Sequence, residues 1–352
     1  MRSVRNTQLG RVLAELSDTE IAALLADGEP LGIGIGGSTA RVQLDGELVF
    51  VKQIPLTPVE RADVRSTAHR SGLPMACHYG IGSPGFGAGR ELAAHELTSR
   101  WVHDEESDIF PLLLHSRPLD RPCRTDTSEF EGLTPQQQWG EGWPRVVQRV
   151  DALRDAESSM TLFLEYLPET LGAWLRRQFA AGAHTGGAAF ADALEQIIDA
   201  SVWMRAHGLR HLDLHPGNIL VDRERLLFTD FGLTMHESFD LDREERAFFD
   251  LHAEYDHDTG VTSLLHWTLA ELGAGNRARR TALVNSTAKY GMSEELERLC
   301  APLEGAAHLV VEHAQTAAVI TEMFELLIRD ASATSYDMIT AERERGAEPS
   351  GQ

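Results

Sequence analysis

The chain has 352 residues, with 54 acidic against 32 basic side chains and a formal net charge of −22 at pH 7. So acidic a surface argues against nucleic acid or an anionic membrane as partner, and no apolar run reaches the roughly 18 residues of a membrane span. The first ten residues lack the apolar core of a signal peptide, and Cys77, Cys123 and Cys300 are scattered without zinc spacing, so a reducing cytoplasm is the expected location.

In chain order, residues 1–30 read as a helical extension. Residues 10–27 suit one or two short helices, and Ser17-Asp18-Thr19-Glu20 has the spacing of a capping box. A glycine-rich turn follows at Gly32, Gly34, Gly36 and Gly37. Such a turn lets backbone N–H groups come close to an anion. The full G-x-G-x-x-G pattern is not met, because Thr39 holds the third glycine position. Ser38 and Thr39 bring hydroxyls instead. Residues 48–54 form a β-rich run with Lys52 inside it. The chain contains two lysines, Lys52 and Lys289, among its 32 basic residues, so a lysine on an apolar strand stands out where arginine is the default cation.

Residues 55–90 read as an insertion, glycine-rich at 80–89 and turn-like there. A helical pattern opens behind Gly87 and Gly89 and carries Glu91 and Glu96. Residues 120–142 are polar and read as a loop, and 143–157 as an inserted helix. Residues 160–167 form an apolar strand ending at Glu165, Tyr166 and Leu167. Residues 190–207 have helical spacing, with Gly208 as a stop. From about 245 the pattern is helical again, and the polar end at 341–352 is expected to fray.

The most informative segment is 211–232. It begins His211-Leu212-Asp213-Leu214-His215-Pro216-Gly217-Asn218 and ends Asp230-Phe231-Gly232. Between these lie two short apolar runs, 219–221 and 226–229, around a polar turn, as in a hairpin. A carboxylate, an amide five residues later and a second carboxylate at the end of a hairpin form an ordered set that chance seldom produces.

This segment resembles the catalytic and metal loops of the protein-kinase superfamily, H-x-D-x-x-x-x-N followed by D-F-G. The string Asp-Leu-His-Pro-Gly-Asn is similar to the aminoglycoside-phosphotransferase and choline-kinase side of that superfamily. His215 stands where Ser/Thr kinases carry a lysine. The resemblance covers roughly residues 30–270. It implies an α+β, bilobal fold: an N-lobe of antiparallel sheet plus helix at 31–167, with insertions at 55–90 and 120–157, and a mainly helical C-lobe at 168–340. It further implies ATP and Mg2+ as cofactors. Asp213 would be the catalytic carboxylate, with His215 beside it, and Asn218 and Asp230 the metal ligands. Lys52 would hold phosphates and pair with Glu91 or Glu96, of which Glu91 is favoured. Gly34, Gly36, Gly37, Ser38 and Thr39 would cover the nucleotide, and backbone groups of Glu165 and Leu167 would meet the adenine edge.

No Ala-Pro-Glu follows Gly232 and no phosphorylatable activation loop is recognisable, so control by phosphorylation of that loop is not expected. Segments at 79–87, 90–96 and 110–117 carry a looser similarity to stand-alone kinases of lanthipeptide biosynthesis. That similarity implies phosphorylation of Ser or Thr on a peptide, with a lyase or cyclase as partner protein. The alternative acceptor is a small alcohol of the aminoglycoside or choline kind. A pseudokinase that only binds a partner is the reading from another class.

Overall fold

The computed structural model describes residues 2–332 and 335–336. The chain divides into two compact units. One holds the residues up to Leu167 together with Thr229–Arg246. The other holds Pro168–Phe228 and the chain from Ala247 onward. The expected tail at 341–352 lies outside the described residues.

The first unit opens with helices α1 (Arg2–Glu15) and α2 (Asp18–Ala26). Ser17 caps α2 through the reciprocal bonds its spacing suggests: Glu20 N–H donates to Ser17 Oγ at 3.3 Å, and Ser17 N–H to Glu20 Oε2 at 2.8 Å. Strands β1 (Glu29–Gly34), β2 (Gly37–Leu44) and β3 (Glu47–Leu56) then form an antiparallel meander. After α3 (Pro58–Ala62) and α4 (Ala88–His103) come β4 (Leu113–Leu119), α5 (Leu133–Trp139), α6 (Trp143–Arg154) and β5 (Ser158–Glu165). The five strands make one sheet in the order β1-β2-β3-β5-β4. Segment 120–142 is not the plain loop its polarity suggests. Trp139, 2% exposed, anchors the short helix α5 there.

Alternation along β3 sends its residues to two different cores. Val49 and Val51 join Phe163 of β5 and Leu9, Leu13 and Ile21 of α1 and α2. Phe50 and Ile54 face the other way, onto Leu92 of α4 and Met160, Leu162 and Leu164 of β5. Lys52 therefore lies on the α4 side of the sheet. Every residue of β5 is buried, as expected of a strand covered on both faces.

The second unit begins with α7 (Leu171–Ala180) and α8 (Ala183–Ala206), then β6 (Leu209–Arg210) and the hairpin of β7 (Ile219–Asp222) and β8 (Arg225–Phe228). Helix α8 starts seven residues before the expected position. Its first turns contain Gly186 and Gly187, which read as breakers, yet a Cβ on Gly187 would sit 2.2 Å from the Glu304 carbonyl oxygen. Close packing, not flexibility, selects the glycine. Helix α9 (Arg243–Leu251) begins in the first unit; α10 (Tyr255–Glu271), α11 (Arg277–Tyr290), α12 (Glu294–Cys300) and α13 (Ala306–Arg329) complete the second, with α13 packed on α10 and α11. The five-stranded antiparallel sheet and the many helices are compatible with a bilobal fold. Among the described residues no helix is long and apolar enough to cross a membrane.

Candidate active site

In the first unit, three of the expected residues meet. Lys52 Nζ lies 2.6 Å from Glu91 Oε1 and 2.8 Å from Asp230 Oδ1. Glu96 is engaged elsewhere, 2.9 Å from Arg65. Glu91 sits in the first turn of α4, on the face that buries Leu92 against the sheet, so β3 and α4 present the two side chains to each other. Burial works to lower the Lys52 pKa, but the charges of Asp230 and Glu91 outweigh it, and the net shift is upward. The ammonium is therefore charged at every physiological pH. Burial pushes the Glu91 carboxyl up, Lys52 pulls it back down, and Asp230 adds to the rise.

Asp230 has a positive φ of 66°, a conformation that costs a non-glycine residue energy and is kept where the surroundings demand it. The next ring supplies that demand. Phe231 is fully buried, edge-on to His95 of α4 at 4.8 Å and 6.2 Å from Phe110. With Phe231 seated, Asp230 turns toward Lys52 and keeps 45% of its side chain exposed.

Gly34 ends β1, Gly36 lies in the turn, and Gly37 and Ser38 open β2. Thr39 pairs directly with Lys52 across β2 and β3. Its hydroxyl donates to the Gly32 carbonyl at 3.4 Å, so it ties the hairpin together rather than standing free for phosphate. At the end of β5, the Glu165 N–H donates to Leu112 O at 2.9 Å. That donor is thus committed, which removes one of the groups expected at an adenine edge. Leu167 is half-buried at the end of the first unit.

In the second unit, the loop 211–218 gathers the other expected residues. Asn218 Nδ2 donates to Asp213 Oδ2 at 2.9 Å and to the Asp213 carbonyl at 3.1 Å. The Gly217 N–H donates to His215 Nδ1 at 3.1 Å, which leaves the neutral ring's proton on Nε2, 3.8 Å from Asp213 Oδ1. Asp213 and His215 remain partly open, with 35% and 47% of their side chains exposed.

The loop is held by a residue that local sequence patterns do not reveal. Asp256 of α10 is buried, and accepts the backbone N–H of His211 at 2.6 Å and of Leu212 at 2.7 Å. Leu212 sits at φ 66°, costly for a branched side chain, and the two N–H hydrogen bonds from His211 and Leu212 to Asp256 offset that strain. Burial raises the Asp256 carboxyl against the pull of those two N–H groups and Arg210, to about 6.

No family model matches the chain. Over 90 residues, 25% of its length, it is 36% identical to the serine/threonine-protein kinase PKH2 of Saccharomyces cerevisiae. Over 38 residues, 10% of its length, it is 53% identical to the serine/threonine-protein kinase PKH3 of the same yeast. These stretches span 8% and 4% of the two kinases. The chain is similar to serine/threonine kinases over part of its length.

Proposed function

We propose that the chain is an ATP-dependent phosphotransferase that moves the γ-phosphoryl group of Mg-ATP to an alcohol. The observation that carries this reading is the contact of Lys52 with the buried Glu91 and the partly open Asp230. Kinase chemistry needs a permanent cation for the phosphates, a glutamate that fixes it and a carboxylate for the metal. The partial similarity to serine/threonine kinases supports the same reaction class.

Asp230 and Asn218 offer a carboxylate and an amide oxygen, hard donors of the kind magnesium takes. Asn218 uses its amide nitrogen on Asp213, which leaves its Oδ1 as the acceptor. Asp230 would be the main ligand of one magnesium ion and Asn218 would give its amide oxygen to a second, and such ions would neutralise charge on the phosphates. Lys52 would hold the phosphates from the sheet side, and the open turn at Gly34–Gly37 would bring backbone N–H groups to them. Asp213 accepts or orients the proton of the acceptor hydroxyl, with Asn218 holding its carboxylate in place and His215 beside it.

The acceptor we propose is Ser or Thr on a peptide of a lanthipeptide-like pathway. Phosphorylation there converts the hydroxyl to a leaving group for a partner lyase. The insertions at 55–90 and 120–157 supply extra surface for such a substrate. His215 in the Asp-Leu-His-Pro-Gly-Asn string favours the second reading, a small aminoglycoside- or choline-like alcohol.

Asp213→Ala is the test of the chemistry. Its carboxylate has no part in ground-state nucleotide binding, so turnover should fall on the order of 10²–10⁴-fold while nucleotide affinity stays within a factor of about two. Equal loss of both in a folded variant refutes the role. Mass spectrometry of a co-expressed precursor peptide, for added phosphate or lost water, decides between the two acceptors.

A further inference from the structure

Arg90 directly precedes Glu91 in the first turn of α4 and is 1% exposed. Its Nη2 donates to Glu245 Oε1 at 2.5 Å, and its Nε to the Thr67 carbonyl at 2.7 Å. Glu245 is fully buried and belongs to the first turn of α9, in the segment that follows Asp230-Phe231-Gly232. That turn is itself fixed. Asp242 Oδ1 accepts the N–H groups of Glu244 and Glu245 at 2.8 and 2.9 Å, and Glu245 Oε2 accepts the Asp242 N–H at 3.1 Å. The Asp240 N–H donates to Thr67 Oγ1 at 2.9 Å. His69 Nδ1 stands 3.8 Å from Glu245. Burial and the Arg90 charge lower the His69 pKa to about 4, so this ring is neutral and does not compete for the carboxylate.

A buried ion pair is a poor way to gain stability, because removing both charges from water costs about as much as their attraction returns. Its value is in specifying one arrangement. Here the arrangement it specifies is the start of α4, one residue from the glutamate that meets Lys52. In kinases regulated by phosphorylation, a new arginine–phosphate pair orders the segment after Asp-Phe-Gly, and the seating of the Lys–Glu pair depends on it.

We propose that Glu245 is a built-in counter-charge for Arg90 that takes the part of such a phosphate, holding α4 in the register where Glu91 meets Lys52 with no modification of residues 233–242. Arg90 and Glu245 are then positioning residues, acting on catalysis through Glu91. The inference rests on the phosphotransferase reading.

Glu245→Gln keeps an acceptor for Arg90 and removes the charge. Arg90→Met/Glu245→Leu replaces the pair by apolar groups of similar size, an exchange that buried pairs often tolerate without unfolding. Both variants should bind Mg-ATP within about threefold of wild type and lose about tenfold or more in kcat for ATP turnover. In a Glu91→Gln background, Glu245→Gln should change kcat by less than about twofold, because the group it acts through is already gone. Equal losses in the two backgrounds overturn the inference, as does full kcat in the folded apolar variant. Backbone hydrogen exchange over residues 88–96 gives a readout that needs no catalysis. Faster exchange in Glu245→Gln supports the tether, and unchanged exchange overturns it. Absence of ATP turnover in the wild type would remove the phosphotransferase reading, and the exchange measurement would still decide the role of the pair.

Discussion

Glycines within four residues of the first hairpin meet two different surroundings. Gly37 has φ 118°, and a Cβ there would fall 1.8 Å from the Gln53 carbonyl oxygen, so β2 and β3 close only around a bare backbone. Gly34 and Gly36 have nothing within 4 Å of an added Cβ. Their bareness leaves open space, which is what phosphate oxygens need to reach backbone N–H groups. Gly37→Ala should therefore destabilise the fold by at least about 2 kcal/mol in urea unfolding. Gly36→Ala should leave stability within about 0.5 kcal/mol and weaken ATP binding in a calorimetric titration. Unaltered ATP affinity in Gly36→Ala would remove this turn from the nucleotide site. The sequence spoke most clearly about residues whose chemical type stands out, by spacing for Asp213, Asn218 and Asp230 and by rarity for Lys52. It could not say which glycine the sheet requires, because that depends on Gln53, which pairs with the hairpin only after folding.

At the scale of elements, the loop 211–218 was legible as a motif, while its support was not. Asp256 lies 45 residues from His211, and no periodicity or cap connects them. The ion pair of Arg90 and Glu245 spans 155 residues and is invisible for the same reason. Asp256 also makes a pH dependence. Its pKa rises from 3.8 in the unfolded chain to about 6 in the fold, with burial as the main cause. A raised carboxyl pKa means the folded state binds the proton more tightly. The stability linked to this group is thus fully present below about pH 4 and lost as pH rises through about 6, a cost of roughly 3 kcal/mol at neutral pH. On the phosphotransferase reading, function runs the other way. The ionised carboxylate accepts two N–H bonds, and protonation below about pH 6 turns one oxygen into a donor facing an N–H. ATP turnover should fall with acid around pH 6 while thermal stability does not fall with it. Asp256→Asn, with an amide group facing one N–H at every pH, should be slower throughout and lack the limb near 6. An unchanged limb in that variant would assign the titration to another group.

Across the molecule, the pieces that looked like additions are built into the core of the first unit. The insertion at 55–90 and the helix α6 of the later insertion are joined by Glu60 and Arg149, with paired contacts of 3.0 and 2.9 Å. Burial raises the Glu60 carboxyl and Arg149 more than reverses it, so the pair stays ionised. A cavity of about 390 Å³ lies among these segments, with Arg70, Arg145 and Arg149 in its wall. The helical extension at 1–30 is just as integral. Residues 10–27 read as one or two short helices with a capping box at Ser17, but nothing in that pattern says that the apolar faces of α1 and α2 cover one side of the sheet. Leu13 and Ile21 are fully buried there against Val49, Val51 and Phe163, which are also fully buried. A leucine in such a setting contributes through both the area it removes from water and the cavity it prevents. Leu13→Ala in the full chain should cost about 2–5 kcal/mol and lower the urea midpoint of the first unit accordingly. Leu133, 71% exposed, is the matched control, and its alanine variant should stay within about 0.5 kcal/mol. If Leu13→Ala unfolds at the same urea concentration as Leu133→Ala, α1 is a separable appendage, and the sheet face formed by Val49, Val51 and Phe163 must be stable without it.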